Sequence, residues 1–375
     1  MATSGEERRA GDGVRVLVVG CGQIADAHLT QARRAGAQLL AVCDRSPALA
    51  EQAAARHGVP AWHTDLDAAL EAVRPEVVHV TTPPATHLPL AARALAAGAH
   101  AYVEKPLTSD AAEAGTLCEA ARRAGRLLCV GHNLAFDPVI RRLDALLAAG
   151  ALGEVVHAEA VMGYDLSGPF GALALSDPSH WVHALPGGIA HNNLSHPLSL
   201  VLPLLGLAEG ERPRVRASGR RLRPERFGDV RDRFHDEVRV HLDGPRATAS
   251  VLFSCRIRPV QLALTVYGTR RAAAVSLDAR TLRLVDGSRL PGPFQKVDWA
   301  RREALASAAE ALGRARDLAG ARLHYFEGLR ALLGAFYAAA RAGGPAPISA
   351  EHARCTAEVL DAIFAACRAA EEGEA

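Results

Sequence analysis

Lysine is almost missing from this chain. Lys105 and Lys296 are the only two, and the other 41 of its 43 cationic side chains are arginine. Arginine keeps its charge near neutral pH, whereas a partly desolvated lysine can be tuned to release a proton. Where arginine has replaced lysine almost everywhere, Lys105, at the end of an apolar run, stands out as a candidate for chemistry. Asparagine is as scarce: Asn133, Asn192 and Asn193 are the three in the chain, all in histidine-containing segments. The seven cysteines (21, 43, 118, 129, 255, 355 and 367) are scattered through the sequence without paired spacing. That excludes a disulfide scaffold or a cysteine-based metal site and suits the reduced thiols of a cytoplasmic protein. The formal charge of +2 shows no excess of either sign, so neither nucleic acid nor a membrane surface is expected as a partner. No apolar run is long enough to span a membrane. The polar opening, residues 1–12, lacks an apolar signal region and is expected to be a disordered tail.

What is present is a chain of 375 residues, 49% of them hydrophobic, long enough for two cores. From Val14, short apolar runs alternate with helical patterns. Strands are expected at Val14–Val19, Leu39–Cys43, Val59–Trp62, Val77–Thr81, His100–Val103 and Leu127–Val130. Helices are expected between them, near 25–35, 47–57, 66–73, 87–97 and 110–124. Repeated strand-helix-strand units make a doubly wound parallel sheet, an α/β domain over 13–134. From 135 to 375 the pattern changes to a helix at Asp137–Ala149, strand-like runs at 154–163, 235–242, 247–255, 260–268 and 272–277, and helices near 300–317, 322–341 and 349–370. Strands joined by short turns such as Asp243-Gly244 predict an α+β domain with an open, mostly antiparallel sheet. The last helices are free to pack back on the first domain.

The first strand runs directly into Gly20-Cys21-Gly22-Gln23-Ile24-Ala25. This spacing gives one glycine for a tight turn, one to admit a pyrophosphate close to the backbone, and a small residue where helix meets strand. A helix N-terminus offers N–H groups to phosphates, and Asp44, at the end of the second strand, is placed to hold the ribose hydroxyls of NAD. Arg45 and Ser46 beside it keep NADP open as an alternative. Thr82, Pro83 and His87 follow the fourth strand at the carboxyl edge of the sheet, where ligands bind in such folds; His87 could equally cap and orient the helix that it begins. The fifth strand ends in Glu104-Lys105-Pro106, with a helix start at Ser109 and Asp110.

In the second domain Gly187-Gly188-Ile189-Ala190-His191-Asn192-Asn193-Leu194-Ser195-His196 is the chemically dense segment. On a helix Asn192 and His196 share a face, and histidine is the side chain whose ordinary pKa lies closest to working pH. His196 is therefore a candidate acid/base, whereas His191 is ambiguous. His180, His183, His191 and His196 have no metal-ligand spacing, and no metal is expected.

Together these residues resemble the Gfo/Idh/MocA oxidoreductases, a family that includes glucose-fructose oxidoreductase and inositol dehydrogenase. The likeness rests on the Gly20 to Ala25 loop, Thr82-Pro83-Pro84 with His87, Glu104-Lys105-Pro106, Leu152-Gly153-Glu154, Gly187-Gly188 with His196, and Tyr325-Phe326. It implies an NAD(P)-binding Rossmann domain, a second domain that mediates oligomerisation, redox chemistry on a sugar, cyclitol or related polyol, and Lys105 and His196 as the catalytic pair. It also implies a cis Lys105-Pro106 bond. The cofactor contacts that follow are Gly20, Gly22, Gln23, Ile24, Asp44, Arg45, Thr82, Pro83, His87, Glu104 and Lys105. Two departures stand out. Asn192 replaces the family's usual aspartate, and an amide cannot take a proton as a carboxylate does. Leu134-Ala135 stands where an arginine is common.

The expected activity is transfer of a hydride between nicotinamide and a hydroxyl or carbonyl carbon. Lys105 would bond the reacting oxygen, His196 relay the proton and Asn192 position the group. Redox-assisted elimination or glycoside hydrolysis with retained NAD, and a non-enzymatic NAD-binding regulator, are the alternatives. A homo-oligomer, dimer or tetramer, is expected as well.

Overall fold

The computed structural model describes residues 13–221, 235–287, 290–320 and 324–374. The expected tail at 1–12 lies outside them, as do the first residues of the helix expected from 322. Packing divides the chain into two units, one comprising residues through Asn133 with Leu329–Ala357, the other Leu134–Gly328 with Glu358 to the end.

In the first unit β1 (Val14–Val19), β2 (Ala37–Cys43), β3 (Ala61–His63), β4 (Val77–Val80), β5 (His100–Val103) and β6 (Leu128–Val130) form a six-stranded sheet in the order β3-β2-β1-β4-β5-β6. All neighbours are parallel. The helices between them are α1 (Ala25–Arg34), α2 (Pro47–His57), α3 (Leu66–Val73), α4 (His87–Ala96) and α5 (Ala111–Ala124). Continuous apolar runs are what central strands covered on both faces require. Val16, Leu17, Val18, Val77, Val78 and Val80 are accordingly fully buried. Helix starts follow local chemistry. Ser46 caps α2 with Pro47 at its first position and left-handed Gly58 at its end. Asp110 accepts the Glu113 amide at 2.8 Å while Glu113 accepts the Ser109 amide at 3.2 Å, anchoring α5. The strand order reverses between β1 and β4, where ligands bind in such sheets.

The second unit opens with α6 (Pro138–Ala148), β7 (Val155–Gly163), α7 (Pro169–Ser176) and α8 (Gly188–Val201). Then follow β8 (Arg214–Arg220), β9 (Glu237–Asp243), β10 (Thr248–Ser254), β11 (Leu262–Gly268), β12 (Ala272–Ser276), β13 (Thr281–Val285) and the long α9 (Pro293–Ala319). The chain closes with α10 (Glu327–Ala342) and α11 (Ala350–Glu374), each of which is divided between the units. The seven strands form one sheet in the order β13-β12-β11-β7-β10-β9-β8, antiparallel except for the β7–β10 pair. Ala158, Ala160, Val251, Phe253 and Leu264 are buried, with α8 against β7 and β10 and α6 against β12 and β13. On the alternate positions, residues such as Glu159, Arg239 and Leu252 border a groove of about 600 Å³. Among the described residues no helix is long and apolar enough to cross a membrane.

β8, β13 and α7 were not expected from the sequence. The strand Arg-Val-Arg-Ala-Ser-Gly-Arg carries few of the branched or aromatic residues that mark a strand. It forms because β9 supplies a complete antiparallel partner for it.

Candidate active site

The glycine loop sits at the switch point of the first sheet. Gly20 adopts φ +97°, a left-handed conformation that a side chain would strain. A Cβ there would also approach Thr82 Cγ2 to 2.6 Å. Gly22 differs, because nothing lies within 4 Å of where its Cβ would be. The exposed Gly22 backbone therefore has the bare approach that a pyrophosphate needs, followed at once by α1. Asp44, at the end of β2, accepts the Cys21 amide at 2.7 Å through Oδ2 and the Ser46 amide at 2.8 Å through Oδ1. Thr81 Oγ1 donates to the carbonyls of Val19 at 3.0 Å and Gly20 at 2.7 Å, fastening β4 to the loop from beneath. Gln23, Arg45 and Pro83 are exposed and Ile24 half-buried around this loop. The surroundings of Cys21 are correspondingly apolar and anionic: burial, followed by the charges of Asp44 and Cys43, pushes its thiol up to about 12.

Glu104 and Lys105 follow β5, the strand next to β4. The Lys105-Pro106 bond is cis, as the family likeness implies. Glu104 Oε2 accepts the Lys105 amide at 3.1 Å, and its Oε1 lies 2.9 Å from His28 Nε2. Burial raises the Glu104 carboxyl, but the hydrogen bond from His28, the charge of Lys105 and the bond from the Lys105 amide outweigh it, leaving the carboxyl below its ordinary pKa. Burial lowers the Lys105 amine and the Glu104 charge opposes it; the net direction is down. Gly131 leaves this arrangement room, since a Cβ there would lie 2.8 Å from Glu104 Oε1.

His87 lies between these two loops. Its Nε2 is 2.7 Å from the Thr82 carbonyl, and its Nδ1 is 3.1 and 3.0 Å from the carbonyls of Pro106 and Leu107. The ring is fully buried, and burial lowers its pKa against the pull of those carbonyls. His87 thus lies against both the loop facing Gly20 and the loop that carries Lys105, and a neutral ring donates its single N–H to one of them.

In the second unit Asn192 and His196 lie on α8, one turn apart, with Asn192 buried and His196 half-buried. Asn193 Nδ2 donates to the Ile189 carbonyl at 2.8 Å, so this second asparagine belongs to the helix itself. His191 stacks on Phe364 with ring centroids 5.3 Å apart. A Cβ on Gly187 would come within 2.0 Å of that phenyl ring, which explains why glycine precedes the helix.

Sequence reasoning missed His28, His79 and Tyr337, which extend the Glu104 contact inward. A usable signal was present: His28 shares the buried face of α1 with Ala25, Leu29 and Ala32, and His79 interrupts the otherwise apolar β4.

Comparison with known proteins identifies the family. Residues 14–132 match the family described as "Oxidoreductase family, NAD-binding Rossmann fold" and residues 140–274 match the "GFO/IDH/MocA C-terminal domain". The chain therefore belongs to the Gfo/Idh/MocA family, and its first unit is built on an NAD-binding Rossmann fold. Among curated relatives, D-glucoside 3-dehydrogenase of Escherichia coli (strain K12) is 33% identical over 144 residues, 38% of this chain and 41% of that protein. Inositol 2-dehydrogenase 4 of Saccharopolyspora erythraea is 39% identical over 145 residues, 37% of this chain and 42% of that protein. The chain spans less than half the length of these curated relatives. A levoglucosan dehydrogenase solved in complex with NADH shares the fold, with a TM-score of 0.77 at 19% identity over 96% of this chain and 98% of that one.

Proposed function

We propose that the protein is an NAD-dependent dehydrogenase acting on a hydroxyl of a sugar, glycoside or cyclitol. The observation that carries this reading is the buried His87, whose ring lies within hydrogen-bond distance of both the Thr82 loop and the loop that carries Lys105, one of only two lysines. NAD, held by the Gly20 to Ile24 loop, Asp44, Arg45 and the Thr82-Pro83 loop, supplies the hydride acceptor when bound. The protein supplies orientation and charge. Lys105 donates a hydrogen bond to the reacting oxygen and stabilises the negative charge that develops there. His196 accepts the hydroxyl proton as general base, and Asn192 orients the group by hydrogen bonding without exchanging a proton itself. The names of the glucoside, inositol and levoglucosan dehydrogenases support a polyol substrate.

Lys105→Ala tests the assignment. NAD affinity should stay within about threefold while kcat falls by about a hundredfold or more, read by nicotinamide absorbance with a panel of sugars, glycosides and cyclitols. Turnover surviving within a few-fold would remove Lys105 from the chemistry.

We further place the protein in the cytoplasm as a homo-oligomer. Seven free cysteines support the first point, and the second-unit sheet with its broad groove supports the second. Sedimentation at equilibrium tests the oligomer.

A further inference from the structure

Four polar side chains form a line through the first unit behind Lys105. Tyr337 Oη on α10 lies 2.9 Å from His79 Nε2 on β4. His79 Nδ1 lies 3.2 Å from His28 Nδ1 on α1, and His28 Nε2 lies 2.9 Å from Glu104 Oε1. Both histidines are fully buried and Tyr337 is 4% exposed. None of the three has a part in the dehydrogenase reading above.

The hydrogens can be placed one at a time. An ionised carboxylate only accepts, so His28 Nε2 carries a hydrogen. The contact between two nitrogens needs a single hydrogen. With neutral rings it belongs to His79 Nδ1, which leaves His79 Nε2 to accept from the Tyr337 hydroxyl. Every hydrogen in the line then points toward Glu104, and bonds aligned in one direction reinforce one another. Burial holds His79 well below the ordinary histidine pKa, which suits a neutral link.

We propose that His28, His79 and Tyr337 are positioning residues for Lys105: acting through Glu104, they hold a fixed carboxylate beside the lysine and so keep its amine protonated. Other groups also face this carboxylate: Lys105 itself, Tyr102 on β5 and His87 on α4. Cys129 on β6 faces Tyr102 in turn. His28 makes a side-chain hydrogen bond that favours the charged carboxylate, beside the bond from the Lys105 backbone amide. Losing the His28 bond leaves burial less opposed at Glu104 and the carboxylate less firmly held, which weakens the charge that opposes the desolvation of Lys105.

The inference rests on reading Lys105 as the donor to the reacting oxygen, but its test needs no turnover. Because the chain has two lysines, protein grown on lysine labelled with 13C at Cε gives two resonances, and Lys105→Arg assigns them. The Lys105 midpoint should fall by about half a pH unit or more in His28→Leu. In His28→Gln, whose amide can still donate to Glu104, it should stay within about 0.2 unit of the parent. Tyr337→Phe should shift it the same way by a smaller amount, and carries the test if His28→Leu does not fold. A Lys105 midpoint unchanged in His28→Leu, or in Tyr337→Phe where that variant carries the test, overturns the inference and leaves the dehydrogenase reading standing. Failure of every polyol to reduce NAD would overturn that reading without altering the midpoints.

Discussion

Asp44 holds the amide of Cys21, the residue between the two loop glycines, at 2.7 Å. The carboxylate at the end of β2 therefore shapes the glycine loop, and in the proposed function it also recognises the ribose. Asp44→Ala removes both effects. NAD affinity should fall by about tenfold or more, since a bond to a charged acceptor contributes about 1.5–3 kcal/mol. NADP, with Arg45 retained, should lose less, so that the ratio of the two affinities moves toward NADP. Titration calorimetry with each dinucleotide reads both numbers, and equal losses for the two would contradict a ribose-facing role.

The two loop glycines should respond differently to the same methyl group. Gly20→Ala puts a Cβ at positive φ against Thr82 and should destabilise the protein by about 1–3 kcal/mol in urea unfolding. Gly22→Ala meets open space. Its stability should stay within about 0.5 kcal/mol of the parent while NAD binding weakens, because the added methyl occupies the approach to the backbone. If Gly22→Ala were as unstable as Gly20→Ala, the division between turn glycine and approach glycine would fail.

How far this site could be read from the sequence depended on the separation between partners. The glycine loop, Asp44 and the Lys105-Pro106 strand end are local patterns with fixed spacing, and each lies where the alternation of strands and helices placed it. The partners of Glu104 are different in kind. His28 is 76 residues from it, and Tyr337 is 258 residues from His79. No periodicity links such positions until the sheet has brought α1, β4 and α10 together. The second sheet shows the same limit: β7 and β10 pair in parallel although 84 residues intervene between the two strands, and hairpin signals cannot announce that pairing. His87 was legible as a candidate, but only the fold showed its two nitrogens facing two separate loops.

Tyr102 offers a test of the packing around Glu104. Its ring is fully buried and its hydroxyl has no hydrogen-bond partner. A buried hydroxyl left unsatisfied costs about 1–3 kcal/mol, so deleting it carries no penalty from a lost bond. Tyr102→Phe should match or exceed the parent in urea midpoint. A loss above about 1.5 kcal/mol would mean that the hydroxyl is bonded in solution.

His191 should make the protein acid-sensitive over a defined range. Its ring is 2% exposed, stacked on Phe364, with Nδ1 unpartnered, and burial lowers its pKa to about 4. Above the unfolded value near 6.5 both states are neutral and stability is complete. As pH falls from there toward about 4, the unfolded chain takes up a proton that the folded chain refuses, so stability declines; below that the two states bind equally. The contribution lost across this window is at most roughly 3 kcal/mol. His191→Leu removes the titrating ring and keeps an apolar contact for Phe364. Its unfolding free energy should therefore fall less steeply than the parent's between neutral pH and about pH 4. Parallel curves for the two proteins would show that His191 is protonated without cost in the folded state, and that the ring has a partner in solution.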